Sequence, residues 1–468
     1  NIAQAIPNAR ASQWMEENIP LFECSQKNFE EMYYYRWWTL RKHIKETPVG
    51  YGMTEFLVNR SYADKYNLIA CAIGHHIYES RWLRNPEYLN QIIHTWYRGN
   101  EGGPMAKMTK FSSWNADAVL GRYMVDGNKE FLLDMVKDLE AEYARWEKTN
   151  RLSNGLYWQG DVQDGMEESI SGGRRKQYAR PTINSYMYGN AKALSLIGIM
   201  TGDEGMAMKY GLKADSIKTL VQDKLWNTDH HFFETMRGDA SAEVREAIGY
   251  IPWYFNLPDA SSQYDVAWKE VMDEKGFSAP YGLTTAERRH PEFRTHGVGK
   301  CEWDGAIWPF ASAQTLTAMA NFMNNYPQTV LTDSVYFHQM ERYVESQHHR
   351  GRPYIGEYLD EVTGYWLKGD QERSRYYNHS TFNDLMITGL IGLRPRMDNT
   401  VEVNPLIPEG KWDYFCLDNV LYHGRNLTIL WDKDGSRYQR GKGLHIYVDG
   451  KEVGHADTLT RVLCENVL

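Results

Sequence analysis

Cysteine is scarce in this 468-residue chain: five residues (Cys24, Cys71, Cys301, Cys416, Cys464), scattered, odd in number and without a C-x-x-C pair. That excludes a zinc knuckle and a disulfide framework and leaves isolated thiols. No apolar run approaches the ~20 residues that a membrane-spanning helix needs. Basic runs are missing too, and the net charge is −9, with a pI near 6.0. Nucleic acid and anionic membrane surfaces are therefore not expected partners. H-E-x-x-H, the Walker loop, G-x-S-x-G and a strand-borne G-x-G-x-x-G are all lacking. The pairs His75-His76, His230-His231 and His348-His349 are sequence neighbours. Neighbours on a helix point ~100° apart, which makes them poor chelates. No metal or cofactor is expected.

Aromatic side chains, by contrast, are abundant: 13% of the residues, with 16 Trp and 32 Tyr. Most must pack the core of a chain this long, but soluble proteins rich in Trp and Tyr often stack a few of them on sugars. Residue 1 is Asn rather than Met. Removal of a leader is one cause of such a start and trimming another; an exported protein is the expectation, with a cytoplasmic one the alternative.

Periodicity divides the chain. Residues 1–24 read as an irregular lead-in, because Pro7 and Pro20 oppose regular structure. Ser25 caps a helix through NFEEMYYYRWWTLRKHIKE, and Tyr62 to Trp82 carries one broad apolar face. Ser112 or Ser113 caps a further helix, and another runs from Lys129 to Lys148. Helical patterns continue at 183–200, 204–224, 242–250, 262–273, 305–323, 333–347 and 380–392. Between them lie long loops rich in Gly, Trp, Tyr and charge, notably 151–181, 276–304 and 350–379, and long structured loops usually carry function. After Arg394-Pro395 the period drops to two, with a turn signal at Asp449-Gly450. About a dozen helices and a small β tail point to a mainly α fold. The expected architecture is an (α/α)6 toroid over 25–395, with a small C-terminal antiparallel β unit over 396–468 packed on it.

Chemistry concentrates in two loops. GLYWQGDVQDGMEESISGG (155–173) sets Asp161, Asp164, Glu167 and Glu168 beside Tyr157 and Trp158, with glycines at both ends. GRPYIGEYLDEVTGYWLKG (351–369) sets Glu357 between Gly356 and Tyr358, with Trp366 close by; Asp360 and Glu361 read as solvated turn residues. Glycoside cleavage needs two carboxyl groups, one protonated to assist the leaving oxygen and one ionised to activate water. Acidic surface loops are the plainer explanation of either stretch alone. Trp303, Asp304 and Trp308 open the helix near 305; Asp304 either caps that helix or hydrogen-bonds a sugar hydroxyl, with Trp303 or Trp308 as a stacking wall. In RYYNHSTFNDLM, capping by Ser380 or Thr381 competes with His379 facing a pocket.

These segments together resemble the clan of inverting (α/α)6 glycosidases that holds the trehalases, the processing α-glucosidases and mannosylglycerate hydrolase. Within it the chain is most similar to the mannosylglycerate-hydrolase-like enzymes. GEYLDEVTG (356–364) is similar to the clan's general-base loop, which places the base at Glu357. DGMEESISG (164–172) resembles the general-acid loop, and the acid maps to Asp164, with Asp161 as the alternative. The family pattern sets Ser-Gly and an aromatic directly before the acid, whereas here Gln163 precedes Asp164. WDGAIWP (303–309) looks like the segment lining the subsite, with Ala306 where Pro is usual. The resemblance implies exo-acting, single-displacement hydrolysis of an α-linked glycoside, on a small saccharide or glycan chain end. Tyr157, Trp158, Trp303, Asp304, Trp308, Tyr358, Trp366 and His379 are the candidate sugar contacts. Arg174, Arg175 and Arg180 either recognise the leaving group or are surface charge. Two other readings keep the fold: a sugar epimerase or lyase using His or Tyr as base, and a saccharide-binding protein without catalysis.

Overall fold

Short polar caps and end glycines cut the chain into helices. Asn85, Asn128, Asp203 and Thr332 each accept a backbone N–H at a helix start, and Pro86 occupies a first position. Gly127 and Gly202 end two helices in the left-handed conformation. The computed structural model describes residues 3–468. Its helices are α1 (Ala11–Asn18), α2 (Lys27–Lys42), α3 (Ile73–Ser80), α4 (Pro86–Arg98), α5 (Asn115–Asp126), α6 (Lys129–Asn150), α7 (Pro181–Thr201), α8 (Glu204–Leu220), α9 (Ile251–Tyr254), α10 (Ser262–Asp265), α11 (Pro309–Asn325), α12 (Asp333–Ser346) and α13 (Asn383–Leu385). The 3-10 runs Ala247–Tyr250 and Val266–Val271 and the π turn Met386–Leu390 lengthen α9, α10 and α13.

Alternate helices α3, α5, α7, α9, α11 and α13 touch one another in that order, and α13 returns to touch α3. The intervening helices bring the chain back on the outside: α6 packs on α5 and α7, α8 on α7, and α12 on α11 and α2. The inner helices therefore start at a common end. There the Trp114 indole lies on Gly74, where a Cβ would collide with it, and packs on His75, Tyr186, Tyr254 and Phe310. This aromatic layer closes the ring below the long loops. Among the described residues, no helix is long and apolar enough to cross a membrane.

Two expectations need correction. The lead-in expected over 1–24 is not irregular where it is described, from residue 3 on: α1 is followed by the strand Leu21–Cys24, which pairs with Tyr414–Tyr422. Pro7 and Pro20 sit just outside the helical segment, where a missing N–H costs nothing. The helix expected from Tyr62 begins only at Ile73. Asn67 has φ 61°, and its amide donates to the carbonyls of Phe56 and Val58, so side-chain bonding outcompetes the helix.

The C-terminal part is β, as its period two predicts. An antiparallel sheet runs in the order Leu21–Cys24, Tyr414–Tyr422, Arg425–Asp432, Gly443–Val448, Lys451–Ala456. Asp449 and Gly450, at φ 48° and 79°, make the tight hairpin turn between its last two strands. Leu417, Ile429 and Ile446 belong to the same buried cluster as Trp37 and Phe337 on α2 and α12, so the tail packs on the helical body.

Candidate active site

The long loops meet above the Trp114 layer. Glu357 is buried, and Nη2 of Arg373 donates to both its carboxylate oxygens at 3.1 and 3.0 Å. Lys368 Nζ stands 3.6 Å from the same carboxylate and 5.0 Å from the centre of the Tyr358 ring. The loop is held from behind: Leu359 bridges to both Ile307 and Trp366. The Trp366 indole, 1% exposed, donates to the carbonyls of Ser346 and His348. Trp366 is therefore a prop for the Glu357 loop rather than a sugar platform.

Asp164 differs from what its loop suggests. Its Oδ1 accepts from Ser112 Oγ at 2.8 Å, and its Oδ2 accepts from Arg180 Nε at 2.6 Å and Thr182 Oγ1 at 2.5 Å. The Arg180 and Asp164 side chains are both 0% exposed. Both oxygens are engaged by donors from three residues, so Asp164 anchors the loop to the start of α7. The same bonds explain why Ser112 does not cap α5, whose N-cap is Trp114, and why Arg180 is neither a leaving-group contact nor surface charge. Arg174 is exposed and pairs with Glu168 at 3.2 Å. Asp161 is also occupied, accepting from the N–H groups of Val162 and Glu168 at 2.8 and 3.2 Å; burial raises its carboxyl above the ordinary range.

Glu167, half-buried on the same loop, accepts no hydrogen bond from any other residue among those described. Burial first, then the charges of Glu357 and Asp161, push it up to about 7. Gly165, at φ 71°, ends the turn that starts at Asp161, and a side chain there would press on Cys71. A third carboxyl, Glu55, accepts from Tyr377 Oη at 2.6 Å and from Cys71 Sγ at 3.1 Å. It too is pushed up to about 7, by burial and then by the charges of Glu357 and Glu167. Sequence reasoning missed both. For Glu167 the signal was present: Gly165 and Met166 stand directly before it, as Gly and an aromatic stand before the family's acid. Glu55 lies in GMTEFL, which carries no local mark.

Trp303, Trp308 and Tyr358 form one stack, with ring centres 4.5 Å apart and planes within 21° in each step. His379 is buried beside Tyr377, 4.1 Å between ring centres, with Nε2 unpartnered. Trp158 is half-buried on a short strand paired with Tyr178–Ala179. Tyr157 departs from expectation: it is 2% exposed and its hydroxyl reaches Glu147 on α6 at 3.5 Å, away from the carboxylates. Asp304 neither caps α11, which begins at Pro309, nor faces open solvent. Its Oδ2 accepts from the N–H groups of Thr295 and Gly297, both at 2.9 Å. One cluster has metal-ligand spacing, His230, Glu234 and Glu243. Each imidazole nitrogen there faces its own carboxylate, at 2.6 and 3.3 Å, so the histidine bridges the two carboxylates.

Two buried-acid loops facing one another beside an aromatic stack, at one end of a helical ring, are the outline of a carbohydrate-cleaving enzyme. Residues 65–380 match the model of the mannosylglycerate hydrolase MGH1-like glycoside hydrolase domain, and 393–455 match the C-terminal domain of glycosyl hydrolase family 65. The chain belongs to the MGH1-like glycoside hydrolases. A solved structure named sialidase is 84% identical over all of this chain, with a TM-score of 0.99; the present chain spans 43% of its length. More distant structures share the fold. The GH63 mannosylglycerate hydrolase from Thermus thermophilus in complex with glucose is 11% identical, with a TM-score of 0.59 over 76% of this chain and 99% of that one. A GH78 rhamnosidase from Bacillus sp. GL1 is 12% identical, with a TM-score of 0.62 over 96% of this chain and 42% of that one.

Proposed function

We propose that the chain is an inverting, exo-acting hydrolase of an α-linked glycoside, built on an (α/α)6 toroid, with Glu357 as general base and Glu167 as general acid. The observation that carries this reading is the contrast within one site. Glu167 accepts from no other residue among those described and is pushed up to about 7, so it holds a proton near neutral pH. Glu357 accepts from Arg373 and neighbours Lys368, a setting for a carboxylate that takes a proton from water. Environments that differ this way assign acid and base roles. In a single displacement Glu167 gives its proton to the leaving oxygen while Glu357 takes one from water, and the water oxygen bonds to the anomeric carbon. Inversion needs the two carboxyls roughly 6.5–9.5 Å apart. The Trp303–Trp308–Tyr358 stack is itself buried, so it walls the Glu357 side of the site and holds Tyr358 in place rather than offering a free face.

The test is a panel of aryl α-glycosides and natural oligosaccharides, with the product anomer followed by NMR. Initial release of the anomer opposite to the substrate's supports inversion, and release of the same anomer rejects it. A second reading, an acidic sugar substrate, is favoured by the two cations Arg373 and Lys368 on Glu357 and by the name of the longer 84% identical protein. Sialosides and uronosides belong in the panel for that reason.

A further inference from the structure

One segment, Phe293–Lys300, touches both carboxyl loops. At one end the Arg294 guanidinium donates through Nη1 to Asp360 Oδ2 and Glu361 Oε2, each at 2.6 Å, and through Nη2 to Glu302 Oε2 at 2.9 Å. Asp360 and Glu361 follow Glu357 within the same loop, so they are clamped rather than solvated as the sequence suggests. At the other end His296 Nε2 donates to the carbonyl of Glu168 at 2.9 Å, and Lys300 Nζ stands 3.7 Å from its carboxylate. Glu168 directly follows Glu167 and has φ 68°, a backbone state that costs ~1 kcal/mol or more unless its surroundings hold it.

The segment has its own anchor. Asp304, fully buried, accepts from the Arg294 N–H through its carbonyl at 2.8 Å and from Thr295 and Gly297 through Oδ2. Tyr358, next to Glu357, donates to the Lys300 carbonyl at 2.5 Å. A piece pinned at its middle and bonded to both loops fixes the distance between them.

We propose that Phe293–Lys300 is a strap that sets the separation of Glu167 and Glu357, with Arg294 as its positioning residue; this rests on the hydrolytic reading above. The strap touches neither carboxyl directly, and it acts by holding Glu168 at one end and Asp360 and Glu361 at the other. Its loss leaves binding largely intact and misplaces the reacting groups. A displacement of ~1 Å far from the chemistry can cost ~100-fold.

The experiment uses Arg294→Gln, Arg294→Lys, His296→Ala and Glu357→Gln in the full chain, with whichever aryl α-glycoside wild type turns over. Arg294→Gln is expected to lower kcat by about 10- to 100-fold with KM changed less than about threefold. Arg294→Lys should recover part of that loss. His296 is exposed, so His296→Ala keeps the fold and loses only one end of the strap; a several-fold loss of kcat and a displaced alkaline limb of the pH profile are expected. Wild-type kcat in both Arg294→Gln and His296→Ala overturns the strap, as does a loss that only follows the fraction unfolded. Should Glu357→Gln stay active, or wild type turn over no glycoside, the hydrolytic reading falls instead. An inactive Glu357→Gln beside an unimpaired Arg294→Gln removes the strap alone.

Discussion

The two ends of the helical ring carry similar residues and differ in how they pair them. Beneath the Trp114 layer a cavity of about 650 Å³ is lined by Asp117, Asp384 and Glu402 together with Arg81, Arg394 and Arg396. There Arg81 binds Asp384 at 2.8 Å, Arg396 binds Glu402 at 2.8 Å, and Arg394 donates to the Thr388 carbonyl at 3.1 Å near the end of the last inner run. Asp117 accepts from Tyr78 Oη at 2.6 Å, and burial pushes it up to about 7, as high as Glu167 and Glu55. A raised acid alone therefore does not mark a reaction centre. At the mouth a carboxyl that accepts from no other described residue lies within electrostatic reach of a second one bound by cations, and the base of the ring has no such pair among the described residues. Buried acids at the base are matched by cations or a phenol; those at the mouth are left unequal.

Substitutions can break that comparison, beginning with the general base. Glu357→Gln should cut kcat by about 10³-fold or more while the fold survives, measured by steady-state kinetics and circular dichroism. Glu167→Gln should lower kcat by ~10²- to 10³-fold, with the smallest loss for aryl leaving groups that depart without a proton. Wild-type turnover in Glu167→Gln would return the acid's role to Asp161. Asp164→Asn should act on stability instead. It leaves the buried Arg180 guanidinium without its carboxylate, at a cost of about 3–5 kcal/mol in denaturant unfolding.

Protonation sharpens the same contrast. Glu167 must be protonated to work, so kcat should fall as pH rises through about 7. Asp117 is raised from 3.8 to about 7, so its contribution to stability is complete below 3.8 and is lost as pH rises through 7. Asp117→Asn should flatten the decline in melting temperature over that window and leave turnover unchanged, which is the smallest effect of the set.

Local chemistry was the legible part of this sequence. The change to period two at Arg394-Pro395 acts within a few residues and predicts the β tail, whereas the serine caps expected at Ser25 and at Ser112 or Ser113 fall at Gln26 and Trp114 instead. Glu357 stood out as a candidate because glycine and tyrosine flank it. What escaped was set by distant contacts. Asp164 looks like an acid until Arg180 and Thr182 arrive from the start of α7, and Glu55 gains its setting only from Tyr377 and Cys71. Asp304 looked like a cap because the strap it holds has no sequence signature. Tyr157 adjoins the acid loop in sequence, yet its hydroxyl turns to Glu147 on α6.

The strand Leu21–Cys24, edge of the tail sheet, bears on how the protein is made. It leaves the ribosome well before its partner Tyr414–Tyr422, a wait of tens of seconds at ~5–20 residues per second. Until then Phe22 and Cys24, both buried in the finished molecule, have no sheet to join. An early part of the message thus encodes a clasp that only a much later part can fasten, and a chain released before that is left with the clasp open.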